Sequence, residues 1–238
     1  MKLEEFCNNI SFKFIKPKIK MSEGLKDRTP PNQEIINTIL PETNINTENI
    51  SKLAFIPKMS TFAIGIIINK IVSEMNKDYC FLNIGVWCGF TFFSGITNNE
   101  SKTCIGVDNF SEFFGENSRK FFYDNLNTIF KDYNNVKFYD KDYEDYFANV
   151  HKETIGFYIY DGEHSYKNQL KGLQFAEPYF SEDCVILVDD TNFEEVRQSV
   201  FDFISQSKNK YEILFDVNTA NNCHPTFWNG IIIFRKIK

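Results

Sequence analysis

A chain of 238 residues with 42% hydrophobic content is long enough for one large domain, or for one domain with an N-terminal extension, and can bury a sizeable core. The net charge of −6 sets nucleic acid aside as the main partner, because the lysines near the start (Lys13, Lys16, Lys18, Lys20) are diluted by Phe, Ile and Pro and form no basic block. Six cysteines without CxxC spacing, no signal-peptide apolar region and a longest apolar run of only Phe62–Ile68 point to a reducing, cytoplasmic setting with no membrane span.

Residues 1–58 read as an irregular N-terminal arm or lid. Pro17, Pro30, Pro31, Pro41 and Pro57 punctuate polar Asn/Thr/Glu stretches there. Thr61–Asn76 reads as a helix with Lys70, Glu74 and Lys77 on its polar side. An alternation then begins, and residues 59–238 read as one domain. Strands are expected at Cys80–Val86, Thr103–Val107, Val136–Tyr139, Ile155–Tyr160 and Cys184–Val188. Helices are expected at Gly89–Asn98, Glu116–Phe130, Tyr143–Val150, Tyr166–Tyr179 and Phe193–Ser205. Two closing strands, Tyr211–Val217 and Gly230–Arg235, have no helical pattern between them. This is the pattern of an α/β fold with a doubly wound, Rossmann-like sheet of about seven strands. The sheet would be mostly parallel, with an antiparallel hairpin at one edge.

Chemistry-bearing residues fall where these strands end, the rim at which open α/β sheets bind ligands. The first strand of the alternation runs into Asn83-Ile84-Gly85-Val86-Trp87-Cys88-Gly89. Its glycines suit a tight turn and close backbone approach to a ligand at a helix start. The spacing is GxxxG and not the GxGxxG of dinucleotide binders, which counts against NAD. Asp108 ends the next strand, about 20 residues on, where an acid can accept hydrogen bonds from ribose hydroxyls, a reading that its register with Gly85 and Gly89 favours over a helix cap or loop acid. Asp142 of Lys141-Asp142-Tyr143 reaches the same rim, with helix capping again the competing reading.

Asp161, Asp189 and Asp190 close two strongly apolar strands. Adjacent carboxylates repel one another unless a cation is present, and a hard oxygen-preferring ion such as Mg²⁺ relieves that repulsion. The plain alternative is a solvated acidic rim with Asp190 capping a helix. His164 follows Asp161 by three residues in a turn, and an imidazole titrating at about 6.5 suits a general base. A structural hydrogen-bonding role is the alternative.

These residues in this order resemble the class I S-adenosylmethionine-dependent methyltransferases, and within them the metal-dependent macrocin-type sugar and antibiotic O-methyltransferases. The likeness runs from Thr61 to Arg235. Family members carry E-x-G-x-x-x-G where this chain has Asn83, Gly85 and Gly89, so Asn83 replaces the usual acid. The resemblance implies cofactor binding by Asn83, Gly85, Val86, Gly89, Asp108, Asp142 and Tyr143. It places the metal on Asp161, Asp189 and Asp190, and catalysis on His164 with Asp161. The family's Gly-Asp-Ser falls on Lys141-Asp142-Tyr143, so the adenine end of the pocket is expected to be reshaped.

The implied function is a Mg-dependent O-methyltransferase that uses S-adenosyl-L-methionine on a small hydroxylated acceptor such as a sugar. The N-terminal arm would cover the acceptor or join a homo-oligomer interface. Two rivals stand beside it: a metal-independent methyltransferase, and a non-catalytic nucleotide-binding or assembly protein that retains the fold.

Overall fold

The structure is a computed structural model that describes residues 1–20, 29–41 and 47–238. In chain order the N-terminal part holds helix α1 (Leu3–Asn9), strand β1 (Ser11–Phe12), helix α2 (Pro31–Asn37), strand β2 (Thr38–Ile39) and helix α3 (Thr47–Leu53). Helix α4 (Phe62–Glu74) leads into β3 (Cys80–Ile84), α5 (Phe90–Ile96), β4 (Thr103–Asp108), α6 (Glu116–Ile129) and β5 (Val136–Asp140). Then come α7 (Tyr143–Asn149), β6 (Ile155–Tyr160), α8 (Tyr166–Ala176), β7 (Phe180–Asp189), α9 (Glu194–Gln206), β8 (Lys210–Val217) and β9 (Ile231–Ile237). A short 3-10 helix, Glu177–Tyr179, separates α8 from β7 because Pro178 cannot continue the α-helical ladder.

The main sheet has seven strands in the order β5-β4-β3-β6-β7-β9-β8, parallel except for β9, which runs against both neighbours. The expected doubly wound sheet with an antiparallel edge pair is therefore present. The strand order reverses between β3 and β6, which opens a crevice outside their carboxyl ends. Side chains alternate between the two faces of the sheet. Phe81 of β3 joins the apolar layer under α4, α5 and α6, while Cys80, Leu82 and Ile84 join the layer under α7, α8 and α9. Much of the chain's phenylalanine fills the first of these layers: Phe81 stacks on Phe157 at 5.0 Å, and Phe93 on Phe122 and Phe130 at 5.2 and 4.9 Å.

Two sequence expectations need correction here. Residues 1–58 are not irregular throughout, since their described part forms three short helices and a two-stranded antiparallel ribbon. Pro31 sits at the first turn of α2, where a missing N–H costs nothing. The buried Asn37 side chain accepts from the N–H groups of Phe14 and Ile15 and donates to the Ile15 carbonyl, which fixes the chain after β1. The second correction concerns Lys70. It does not face solvent but is 7% exposed, paired with Glu74 and lying over the Phe6 ring, because α1 covers that side of α4. Phe6, Phe12, Ile50 and Leu53 all belong to the same buried cluster as α4.

Among the described residues no helix is long and apolar enough to cross a membrane. Since Phe6 is fully buried, Phe6→Ala should lower unfolding stability by about 3–5 kcal/mol in urea titration. A detached arm would lose almost nothing.

Candidate active site

The glycine turn is built by two supports. Gly85 has φ +77°, and a Cβ there would come within 1.9 Å of the Asp161 carbonyl oxygen, so the turn lies directly on the end of β6. The Asp161 N–H donates to the Ile84 carbonyl at 2.8 Å, which joins β3 to β6 where the crevice opens. The second support is Asp108. Its Oδ2 accepts from the N–H groups of Val86 and Trp87 at 2.8 and 2.9 Å, and its Oδ1 accepts from Phe110 N–H at 2.7 Å. Gly89, with φ +102°, starts α5 in a left-handed conformation, and a Cβ there would strike the Phe93 ring.

A cleft of about 360 Å³ opens over this turn. Of the expected cofactor residues, Gly85, Asp108, Asp142 and Tyr143 line it. Asp142 also caps α7, accepting from Glu144 N–H at 2.8 Å, so its capping and cleft-lining positions coincide. Tyr143 packs edge-on against Tyr160 at 5.4 Å, and burial pushes its hydroxyl up to about 12. Asn83 lies behind the turn. Fully buried, it donates through Nδ2 to the carbonyls of Ile84 and Gly85, and its Oδ1 has no partner among the described residues. Val86 is buried and enters the site through its backbone N–H.

At the β6 side of the cleft stand Asp161 and His164. His164 Nε2 lies 2.8 Å from Asp190 Oδ2 and 3.9 Å from Asp161 Oδ1. Asn229 donates to the other Asp190 oxygen, and Asp190 itself holds a positive φ of 56°. Such a backbone conformation is uncommon for a non-glycine residue and here turns the carboxylate towards His164. Asp189 is 4% exposed, and its Oδ1 has no hydrogen-bond partner among the described residues. Asp189 and Asp190 stand behind the cleft lining, not on it.

The charges are tightly interdependent. Burial, then the charges of Asp189, Asp190 and Asp108, raise the Asp161 carboxyl well above the usual carboxylate range. Burial and the Asp190 charge push Asp189 up to about 7, against a smaller opposing pull from His164. Burial tends to lower the His164 imidazole, but the hydrogen bond to Asp190 and the charges of Asp190, Asp189 and Glu112 outweigh it and raise the net value.

The donor chemistry therefore fits a hard cation: three repelling carboxylates and an orphaned buried oxygen. The side chains do not yet surround one. Among the described residues no group of three or more His, Cys, Asp or Glu side chains is arranged to hold a metal ion, and the His164 imidazole takes the place beside Asp190.

Several contributors were not anticipated from sequence. Met59, Trp87, Glu112 and Phe113 line the cleft, Trp87 Nε1 donates to the Phe113 carbonyl, and Asn229 positions Asp190. Met59, Glu112, Phe113 and Asn229 lie on loops with no periodicity. Positive φ at Trp87, Phe110, Phe113 and Phe114 marks a strained rim that composition does not reveal.

With the site described, comparison with known proteins becomes informative. Residues 82–191 match the family model of a methyltransferase domain. This segment, a little under half of the chain, is similar to a methyltransferase domain. It starts within β3 and ends just past Asp190, so it contains the glycine turn, Asp108 and the three aspartates. Solved structures share the fold of this chain. One is a putative caffeoyl-CoA O-methyltransferase from Staphylococcus aureus, 14% identical, with a TM-score of 0.58 over 81% of this chain and 93% of that one. Another is the O-methyltransferase from Bacillus cereus in complex with SAH, 13% identical, with a TM-score of 0.58 over 82% and 92%. A third is CalS11, a TDP-rhamnose 3'-O-methyltransferase of calicheamicin biosynthesis, 12% identical, with a TM-score of 0.51 over 71% and 75%. A comparison with curated protein sequences gives no significant match.

Two expected outcomes follow. Asp108→Ala removes the acceptor of three backbone N–H groups, so it should lower melting temperature and S-adenosylhomocysteine affinity together, the latter at least tenfold by calorimetry. Unchanged stability would mean that the turn stands without this support. The second outcome concerns pH. A carboxyl raised from 3.8 to about 7 on folding stabilises the fold below its unfolded value and loses that contribution as pH rises through 7. A raised histidine likewise contributes below about 6.5 and loses it through its folded value. In metal-free buffer the melting temperature should thus fall between about pH 5 and 8, and Asp189→Asn should flatten the slope. A rising melting temperature over that window would contradict the charge balance described.

Proposed function

We propose that the protein is an O-methyltransferase acting on a small hydroxylated acceptor, such as a sugar, in the cytoplasm. Cofactor contacts are assigned to the glycine turn, Asp108, Asp142 and Tyr143, and residues 59–238 to the transfer domain. The observation that carries this reading is the His164–Asp190 pair, 2.8 Å apart, at the edge of the cleft built on the glycine turn. An acceptor alcohol must lose a proton as its oxygen takes the methyl group, and a positioned base provides for that.

S-adenosylmethionine supplies an electrophilic methyl group, and a divalent cation such as Mg²⁺, held by Asp161, Asp189 and Asp190, would lower the pKa of the acceptor hydroxyl. Asp190 orients the imidazole through Nε2, and Nδ1 is buried without a partner among the described residues. Asp161 faces the cleft and presents an oxygen towards both the imidazole and the acceptor space.

One observation favours a second reading, metal-independent transfer. His164, carrying a raised pKa, already partly neutralises the carboxylates from the position beside Asp190. Methyl transfer from S-adenosylmethionine to a panel of glycosides and phenols, with chelator or added Mg²⁺, separates the two. Loss of turnover on chelation and its return with Mg²⁺ supports the first reading, and full turnover in chelator supports the second.

His164→Ala should lower kcat by roughly 10²–10⁴-fold with S-adenosylhomocysteine affinity near wild type. Because Asp190 raises the imidazole, the acid limb of the wild-type rate profile should lie above the ordinary histidine value of 6.5 and move down in Asp190→Asn. An active, destabilised His164→Ala enzyme would make the imidazole structural.

A further inference from the structure

The outer side of the N-terminal part carries positive charge and apolar surface together. Along the chain its lysines are diluted by Phe, Ile and Pro, but the fold sorts these residues. In the β1–β2 ribbon Ser11 pairs with Ile39 and Phe12 with Thr38. The Lys13 N–H continues the pairing with a bond to the Asn37 carbonyl at 2.9 Å. Side chains alternate across a ribbon, so Ser11, Lys13 and Ile39 share the outward side while Phe12 packs into the core. Ile15 is buried as well, and Lys16 and Lys18 stand exposed in a turn closed by the Ile19 N–H on the Lys16 carbonyl at 3.1 Å. The apolar residues among the lysines are thus either turned inward, as Phe12 and Ile15 are, or left in water beside them. Phe14, Ile19 and Ile39 are 45%, 48% and 41% exposed.

Two features set this face apart from an ordinary solvated surface. The first is its charge. Residues 6–19 contain no acid, and the only acid of residues 30–41, Glu34, is buried against Lys58. Lys13, Lys16 and Lys18 form no ion pair among the described residues, so they make a positive island on a chain of net charge −6. The second is its order. The Asn37 side chain holds the N–H groups of Phe14 and Ile15, the Ala220 N–H donates to the Pro17 carbonyl at 2.9 Å, and His224 Nε2 lies 3.2 Å from the Ile19 carbonyl. A face held in this way binds without the entropy cost of ordering a loose segment.

Lone exposed apolar side chains are normal, but three of them set among three unpaired lysines match the chemistry of an anionic lipid surface. Lysines are drawn to acidic headgroups, and apolar side chains between them enter the boundary with the acyl chains. Nucleic acid fits less well, because Ile19 and Ile39 offer no ring for base stacking and the charges are lysines, without the bidentate phosphate grip of arginine. Pairing of the face with itself in a two-fold dimer would set like charges against one another.

We propose that this face docks the protein onto an anionic phospholipid bilayer, with Lys13, Lys16 and Lys18 over the headgroups and Phe14, Ile19 and Ile39 at the acyl boundary. The rest of the surface carries the excess of acids and is repelled, so the charge distribution also selects the side that meets the lipid. Docking of this kind does not depend on the transfer chemistry.

In flotation assays the protein should bind vesicles of phosphatidylcholine containing about one-third phosphatidylserine, and pure phosphatidylcholine at least tenfold less. Binding should fall as salt rises from about 0.05 to 0.5 M, which shortens the reach of the charges. Lys13→Gln, Lys16→Gln and Lys18→Gln should each weaken partitioning about fivefold, and the corresponding changes to Arg should keep it. Phe14→Ser combined with Ile19→Ser should weaken it at least tenfold with the salt dependence intact. These side chains are exposed, so the melting temperature should hold in every variant. The proposal is overturned by equal binding to the two vesicle types, by no binding at low salt, or by wild-type partitioning in either the lysine or the apolar variants. In the absence of vesicle binding, single-stranded RNA binding that the lysine variants lose, or self-association that the apolar variant loses, would overturn it and assign the face to that partner.

Discussion

Three backbone N–H groups converge on one carboxylate, and the rest of the site depends on that convergence. Val86, Trp87 and Phe110 donate to Asp108, so the turn after β3 and the loop after β4 are held by the same side chain. Neither segment has the ladder bonds of a strand, and buried or half-buried N–H groups without acceptors would make both turns costly. An ionised acceptor satisfies them with short, charge-assisted bonds. A carboxylate has about four acceptor positions, so Asp108 keeps capacity for a ligand hydroxyl after bracing the turn. The support and the ligand contact are therefore compatible in one residue.

The contact between Gly85 and Asp161 carries this order across the sheet. Because no Cβ fits between Gly85 and the Asp161 carbonyl, the glycine turn lies in direct backbone contact with the acidic end of β6. The next link is His164, three residues beyond Asp161, whose ring reaches Asp190 at the end of β7. Asn229, just before β9, completes the chain of contacts. Four strand ends thus set the positions of the groups around the cleft, and the helices behind them contribute packing more than chemistry.

This explains what was legible in the sequence. Strands that are buried on both faces read as apolar runs, and acids at their ends stand out against them, so Asp108, Asp161, Asp189 and Asp190 could be located with their order along the chain. The strand-end positions also imply a shared rim, because parallel strands present their carboxyl ends together. Less legible was what each side chain would bond. Asp108 bonds backbone N–H groups, and Asn83 turns back on its own turn, neither of which spacing can reveal. The N-terminal part was misread because its helices have only seven residues each and its apolar positions serve a surface made by α4, far along the chain. Lys70 is the same lesson at one residue. A lysine on a helix reads as exposed until another helix covers it, and its stem and ammonium then find Phe6 and Glu74.

Charge gives the site its sharpest constraint. A methyl group leaves a sulfonium for an oxygen nucleophile, and positive charge on sulfur disperses as the bond breaks. Three unneutralised carboxylates near the reacting centre would stabilise the cationic reactant more than that dispersed transition state, which slows the step. The same carboxylates would also hinder loss of the acceptor proton, since they disfavour an alkoxide beside them. Their charge must therefore be balanced before transfer, by protonation of the acids, by the His164 imidazole or, on the reading proposed above, by a divalent cation. An imidazolium balances the carboxylates but has no free lone pair for the acceptor proton, whereas a neutral imidazole can take the proton but leaves the acids unbalanced. On the reading proposed above, a cation held by the aspartates would remove that conflict and free His164 to remain neutral. Burial and mutual repulsion raise the carboxyls of Asp161 and Asp189 and so favour their protonated forms in the protein alone.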